Sequence, residues 1–134
     1  WGSFGTMWGL PFAQVVVRPQ RYTREFMDAF DTFTLTAFPK AFRAALETMG
    51  SRSGRQGDKA AAAGLTPVAA TQVAAPVFRE AELAVECRKL FAQDMTAAAL
   101  LDPRAAACYP SADYHRVYYG EIVAIRGEPK YAVV

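Results

Sequence analysis

The chain has 134 residues, a mass of 14.6 kDa and a formal charge of +2, with 52% hydrophobic and 21% charged residues. That length holds one domain, residues 1–134, and the composition excludes global disorder. The small net charge gives no general electrostatic case for nucleic acid, and the two cysteines, Cys87 and Cys108, cannot make a disulfide framework.

The chain opens on Trp1, without an initiator Met or a signal segment, and WGSFGTMWGLP already reads as the interior of a domain. The expectation is a single domain truncated at its N-terminus. Phe12 to Val17 is a β-branched run after Pro11, closed by Arg18-Pro19, and predicts a buried strand. Tyr22 to Phe30 places Tyr22, Phe26, Met27 and Phe30 on one face of a short helix, with Thr23 as its N-cap. Thr32 to Ala37 alternates as a strand before Pro39. Ala41 to Met49 carries Phe42, Ala45, Leu46 and Met49 as a helical stripe, with Gly50 as C-cap.

Ser51 to Lys59 is polar and Gly-rich and predicts a loop. Ala60 to Ala75 reads as one helical turn and a connector. Glu82 to Phe91 alternates as a half-buried strand, with Cys87 on its apolar phase and a bulge near Lys89. Ala97 to Leu101 is a short helical patch. Tyr114 to Ile125 is the last long strand, with Gly120 as a bend or close-approach point. Four strands with two or three helices, in no strict alternation, predict a mainly β barrel with helices outside it. The longest uncharged runs, Trp1 to Val17 and Ala60 to Phe78, are broken by Gly, Pro, Gln or Thr and do not read as membrane spans.

Two segments carry more charge than a scaffold needs. Arg18, Arg21 and Arg24 surround the start of the first helix, where the backbone dipole disfavours each cation by about 0.3–1 kcal/mol. A phosphate there would relieve the conflict, accepting from the Thr23 hydroxyl and the arginine forks. Arg52, Arg55 and Lys59 lie among the serines and glycines of the second segment, whose backbone can wrap an oxygen cluster. Together they hold six of the fifteen basic residues against one acid, Asp58, and read as two walls of one phosphate site.

Neither segment is a P-loop, and the dinucleotide-binding glycine fingerprint is missing. His115 is the only histidine, which with two distant cysteines supplies no paired metal ligands. No Ser-His-Asp set and no carboxylate pair can be assembled. Tyr109, Tyr114, Tyr118 and Tyr119 could line a ligand or a dimer interface, with barrel packing the expectation for most of them. An anion clamp without acid, base, nucleophile or metal suits a bound cofactor that carries the chemistry itself. A non-catalytic binder of a phosphorylated ligand fits the same clamp, and nucleic-acid binding fits it least.

VRPQRYTREF at Val17 to Phe26, SGRQGDK at Ser53 to Lys59 and YHRVYYGEI at Tyr114 to Ile122 resemble the flavin reductase-like family of FMN-binding split-barrel proteins, flavoredoxins included. The leading WGSFGTMWGLP is similar to an early block of that family. The resemblance runs through nearly the whole chain, although the usual S-G-R-D string reads Ser53-Gly54-Arg55-Gln56 here. It implies a six-stranded split β-barrel that forms a homodimer, with FMN near the dimer interface; the cytoplasmic location is the expectation from the two cysteines, which read as reduced thiols. NADH or NADPH would reduce the flavin, and free flavin, an acceptor protein or another acceptor would take the electrons. By resemblance Arg18, Arg21, Tyr22 and Thr23 hold the FMN phosphate, and Ser53, Arg55 and Lys59 close over it. Trp1, Gly2 and Ser3 run beside the ring, and His115 lies near the flavin or nicotinamide face as the one catalytic candidate. The alternative is an FMN-storing protein or an electron carrier fed by another protein. Neither a membrane nor a nucleic-acid partner is expected.

Overall fold

The computed structural model describes residues 1–132. Its strands are β1 (Gly2–Met7), β2 (Leu10–Val17), β3 (Thr32–Ala37), β4 (Pro67–Val68), β5 (Val77–Phe78), β6 (Leu83–Asp94) and β7 (Arg116–Gly127). Five of them form one antiparallel sheet in the order β1-β2-β7-β6-β3, and β4 and β5 pair as a separate ribbon. Mainly β architecture is therefore as expected. Among the described residues β1 and β3 are free sheet edges, and five strands stand where the resemblance implied six.

The helices are α1 (Thr23–Ala29), α2 (Arg43–Ser51), α3 (Lys59–Ala62) and α4 (Pro103–Ala106). The core is a single cluster of Ala13, Met27, Phe33, Val85, Cys87 and Tyr118. β2, β3, β6 and β7 contribute five of these through alternation, and α1 contributes only Met27. Cys87 is fully buried, as its phase in the strand implied, and burial pushes its thiol up to about 12.

β3 has the bounds that its alternation predicted. The bulge near Lys89 is present, and a second interrupts the ladder at Glu86/Cys87. Two caps differ from expectation. Thr23 is the first residue of α1 rather than its N-cap: the preceding Tyr22 takes the cap position with helical dihedrals and no side-chain cap bond, and the Arg24 amide already bonds the Arg21 carbonyl. Gly50 lies inside α2, which ends at Arg52 in an extended conformation that needs no glycine. Ser51 prolongs that helix by donating its hydroxyl to the Glu47 carbonyl at 2.7 Å.

The expected loop from Ser51 to Lys59 contains a 3₁₀ turn at Gly54–Gln56 and the Asp58 cap of α3, where Asp58 Oδ1 accepts from the Ala61 amide at 3.0 Å. β1, the β4–β5 ribbon and α4 went unpredicted. All six residues of β1 are exposed, so it carries no burial pattern that a sequence reading could use.

Candidate functional site

The two basic segments meet in space. Arg55 reaches across to α1: its guanidinium donates to the Gln20 carbonyl at 3.1 Å, pairs with Glu25 and lies 4.9 Å from the centre of the Tyr22 ring. Beside this junction is a cleft of about 710 Å³ bounded by α1, β3, the turn at 57–60 and residues 74–78. That volume falls within the roughly 300–1,000 Å³ of small-molecule sites.

Tyr22, Thr23 and Lys59 line the cleft. Lys59 is held by donating to the Met49 carbonyl at 3.0 Å, which leaves it two further N–H donors. Ser53 lines a smaller adjoining pocket of about 280 Å³ with Arg52 and Lys59, and the two cavities share Gly57, Asp58 and Lys59. The Ser53 oxygen accepts from the Arg55 amide at 3.3 Å, so its proton points elsewhere. Among the described residues neither Arg21 nor Arg52 has an ion-pair partner.

None of the three arginines around α1 lines the cleft: Arg21 only precedes the lining residue Tyr22 in the chain, and the other two turn elsewhere. Arg18 turns to the loop before β7, pairing with Asp113, donating to the Cys108 carbonyl at 2.8 Å and lying 5.1 Å from the Tyr109 ring centre. Arg24 bonds Asp28 at 2.7 Å and Asp94 at 3.2 Å. Asp113 and Asp94 from remote segments, with Asp28 one helical turn along, thus compensate Arg18 and Arg24, and no anion is needed to explain those two residues.

Gly2 and Ser3 lie on the outer edge strand and Trp1 just before it, and none of the three lines the cleft. The Trp1 ring packs 5.1 Å from His115, Gly2 crosses too close to the Gln14 carbonyl for any side chain, and Ser3 Oγ donates to Gln14 Oε1 at 2.8 Å. His115 is buried just before β7, with Nδ1 2.7 Å from the Tyr109 hydroxyl. Burial, with the Arg18 guanidinium nearby, holds its imidazole below the ordinary range. It faces Trp1 and Tyr109, and the cleft is lined by other residues.

The helical face that the spacing predicts on α1 is the aromatic wall of the cleft. Tyr22, Phe26 and Phe30 form a ladder along α1, with ring centroids 4.9 and 6.4 Å apart, and Phe26 and Phe30 remain 49% and 60% exposed. The i, i+4, i+8 stripe lines the cleft, and Met27, which also borders it, is the residue of α1 buried in the core. Phe33 and Phe78 complete the apolar surface. A flat aromatic ring suits that wall, and the donors at Thr23, Lys59 and Ser53 suit a phosphate, so the residues present fit a flavin mononucleotide. Among the described residues no cluster of His, Cys, Asp or Glu can hold a metal ion, and no helix is long and apolar enough to cross a membrane.

The family model described as "Flavin reductase like domain" matches residues 11–132. No curated protein matches the sequence. Among solved structures, flavoredoxin from Methanosarcina acetivorans aligns at a TM-score of 0.76 and 21% identity, over 99% of this chain and 61% of that one. An FMN-binding protein from Thermus thermophilus aligns at 0.73 and 22%, over 96% and 61%. Nitrilotriacetate monooxygenase component B from Bacillus cereus aligns at 0.76 and 14%, over 98% and 61%. The likeness shows a shared split-barrel fold, and the chain spans about 61% of the length of these structures.

Proposed function

The chain belongs to the flavin reductase-like family, and from that premise we propose that it binds FMN and acts as an oxidoreductase, moving electrons from NADH or NADPH to free flavin or another acceptor. The observation that carries this reading is the cleft itself, where an aromatic wall on α1 adjoins hydroxyl and ammonium donors from two sequence-distant segments. FMN supplies the hydride-accepting and electron-donating chemistry when bound. The chain's residues supply binding and orientation. Thr23, Ser53 and Lys59 donate to the phosphate, Arg21 adds charge beside them, and the Tyr22–Phe26–Phe30 ladder with Phe33 covers the ring and excludes water. Arg55 acts as a brace, holding the two walls together through Gln20, Glu25 and Tyr22.

The same reading takes the working unit to be a cytoplasmic homodimer. In support, both cysteines are free, and Trp1, Phe4 and Trp8 on β1 and its turn are 77%, 62% and 59% exposed. Roles at the ring for Trp1, Gly2, Ser3 and His115, and at the phosphate for Arg18, would have to come through that assembly, because none of the five lines the cleft of its own chain.

The test is an absorbance titration of the purified chain with FMN, followed by anaerobic NADH or NADPH. Saturable uptake and bleaching of the flavin band are expected. A chain that takes up no FMN overturns the proposal. A yellow protein that neither nicotinamide bleaches would be an electron carrier or flavin store.

A further inference from the structure

One wall of the cleft is a strap. Residues 69–76 join β4 to β5 without regular structure of their own, and Ala74, Ala75 and Pro76 face the cleft. Such a segment has no ladder to fix its height above the sheet, so side chains must do it.

Three side chains on β3 and β6 hold it. Thr34 and Glu86 are directly opposite in the β3–β6 register, and Thr32 is two residues along from Thr34, so all three share a face. Thr32 Oγ1 accepts from the Ala75 amide at 3.2 Å, and Thr34 Oγ1 donates to the Pro76 carbonyl at 2.6 Å. Glu86 makes the largest set of contacts. Its Oε1 accepts from the Thr71 amide and hydroxyl, both at 2.9 Å, and its Oε2 accepts from the Gln72 amide at 2.7 Å and the Thr71 amide at 3.1 Å.

Glu86 is fully buried, on the face away from the cluster that takes Val85 and Cys87. A carboxylate is costly in such a place unless both oxygens are satisfied. Here the strap satisfies them, with Arg126 of β7 as counter-charge at 3.3 Å. A seat serving only the core would take an apolar residue like its neighbours Ala84 and Val85. The carboxylate's acceptor capacity goes instead to two consecutive backbone amides and a hydroxyl of the segment that forms the cleft wall.

We propose that Glu86 is a positioning residue for the cleft: it fixes the strap at the height where Ala74–Pro76 close one wall, and thereby sets the affinity of the site. This rests on the FMN reading given above, but its first consequence involves the protein alone. In Glu86→Gln, the Thr71 and Gln72 amides should exchange at least tenfold faster with deuterium, while the Val85 and Cys87 amides keep their protection. FMN should then bind about tenfold more weakly, with its bound absorption band shifted towards that of the free flavin. Thr71→Ala removes one donor, leaves the carboxylate in place, and should move both readouts the same way by a smaller factor.

Unchanged exchange at Thr71 and Gln72 overturns the role of Glu86. Faster exchange with FMN affinity unchanged overturns the link between strap and cleft. If Glu86→Gln loses protection throughout β6, Thr71→Ala decides by the same two criteria. A parent chain that takes up no FMN defeats the proposed function, and the affinity half of this inference with it. A parent that binds FMN as tightly as both variants defeats this inference alone.

Discussion

The Arg55 guanidinium lies 4.9 Å from the centre of the Tyr22 ring and joins two segments that the sequence places 33 positions apart, 55 less 22. A cation over an exposed aromatic face contributes about 0.5–1 kcal/mol, and an exposed ion pair such as that with Glu25 about 0–1 kcal/mol. Arg55→Ala should therefore lower stability by about 0.5–2 kcal/mol, read by urea unfolding, and weaken FMN binding by loosening the two walls. Arg55→Lys keeps the charge but lacks the planar fork, and should recover less than half of the loss. Full retention of FMN affinity in Arg55→Ala would remove its bracing role.

Arg21 and Lys59 separate direct phosphate contact from bracing. A hydrogen bond to a charged group contributes about 1.5–3 kcal/mol, so Lys59→Ala should raise the FMN dissociation constant by about 10- to 100-fold. Arg21 lies beside the cleft rather than in its lining, and Arg21→Ala should cost less and depend more on salt. Riboflavin, which lacks the phosphate, should bind parent and variants alike. Calorimetry at two ionic strengths checks all three expectations.

Asp28 anchors α1 to β7. It accepts from the Tyr118 hydroxyl, from Arg24 at 2.7 Å and from Arg116 at 3.1 Å, while Asp94 takes the other side of both arginines. Burial pulls its carboxyl upward, but the Tyr118 and arginine hydrogen bonds outweigh that and bring it down to about 2 from 3.8. A depressed carboxyl stabilises the fold above its ordinary value, and that contribution is lost as pH falls from about 4 towards about 2. Asp28 is 39% exposed, so solvent screening reduces the contribution to about 1 kcal/mol. Asp28→Asn should destabilise the protein at pH 7 by about that amount and flatten the stability profile between pH 4 and pH 2. Parallel profiles for parent and variant would show that the network contributes nothing.

Gly120 in β7 is a close-approach point. A Cβ there would sit 2.5 Å from Phe33 Cε1 and 3.0 Å from Cys87 Cβ, in the centre of the core. Gly120→Ala must displace the Phe33 ring, which also lines the cleft. Overpacking of this kind costs about 1–3 kcal/mol, and FMN affinity should fall with it. Thermal unfolding and FMN titration of one preparation measure both effects. Unchanged stability would mean that the core has room that this packing denies.

The sequence by itself determined the elements whose pattern is local. Thr32–Ala37 alternates between Asp31 and Pro39, and the structure gives β3 the same bounds. The basic segments and the family resemblance were legible for the same reason, since composition and motif lie along the chain. Beyond the i, i+4 pair of Arg24 with Asp28, tertiary structure decided what the basic residues around α1 do. The partner of Arg18 is 95 positions away and that of Arg24 across β6 is 70 away, distances over which no periodicity reports. It also decided what the Tyr22–Phe26–Phe30 face meets, which is a cleft. A helical stripe shows only that side chains share a face, and what covers that face depends on strands and straps contributed from elsewhere.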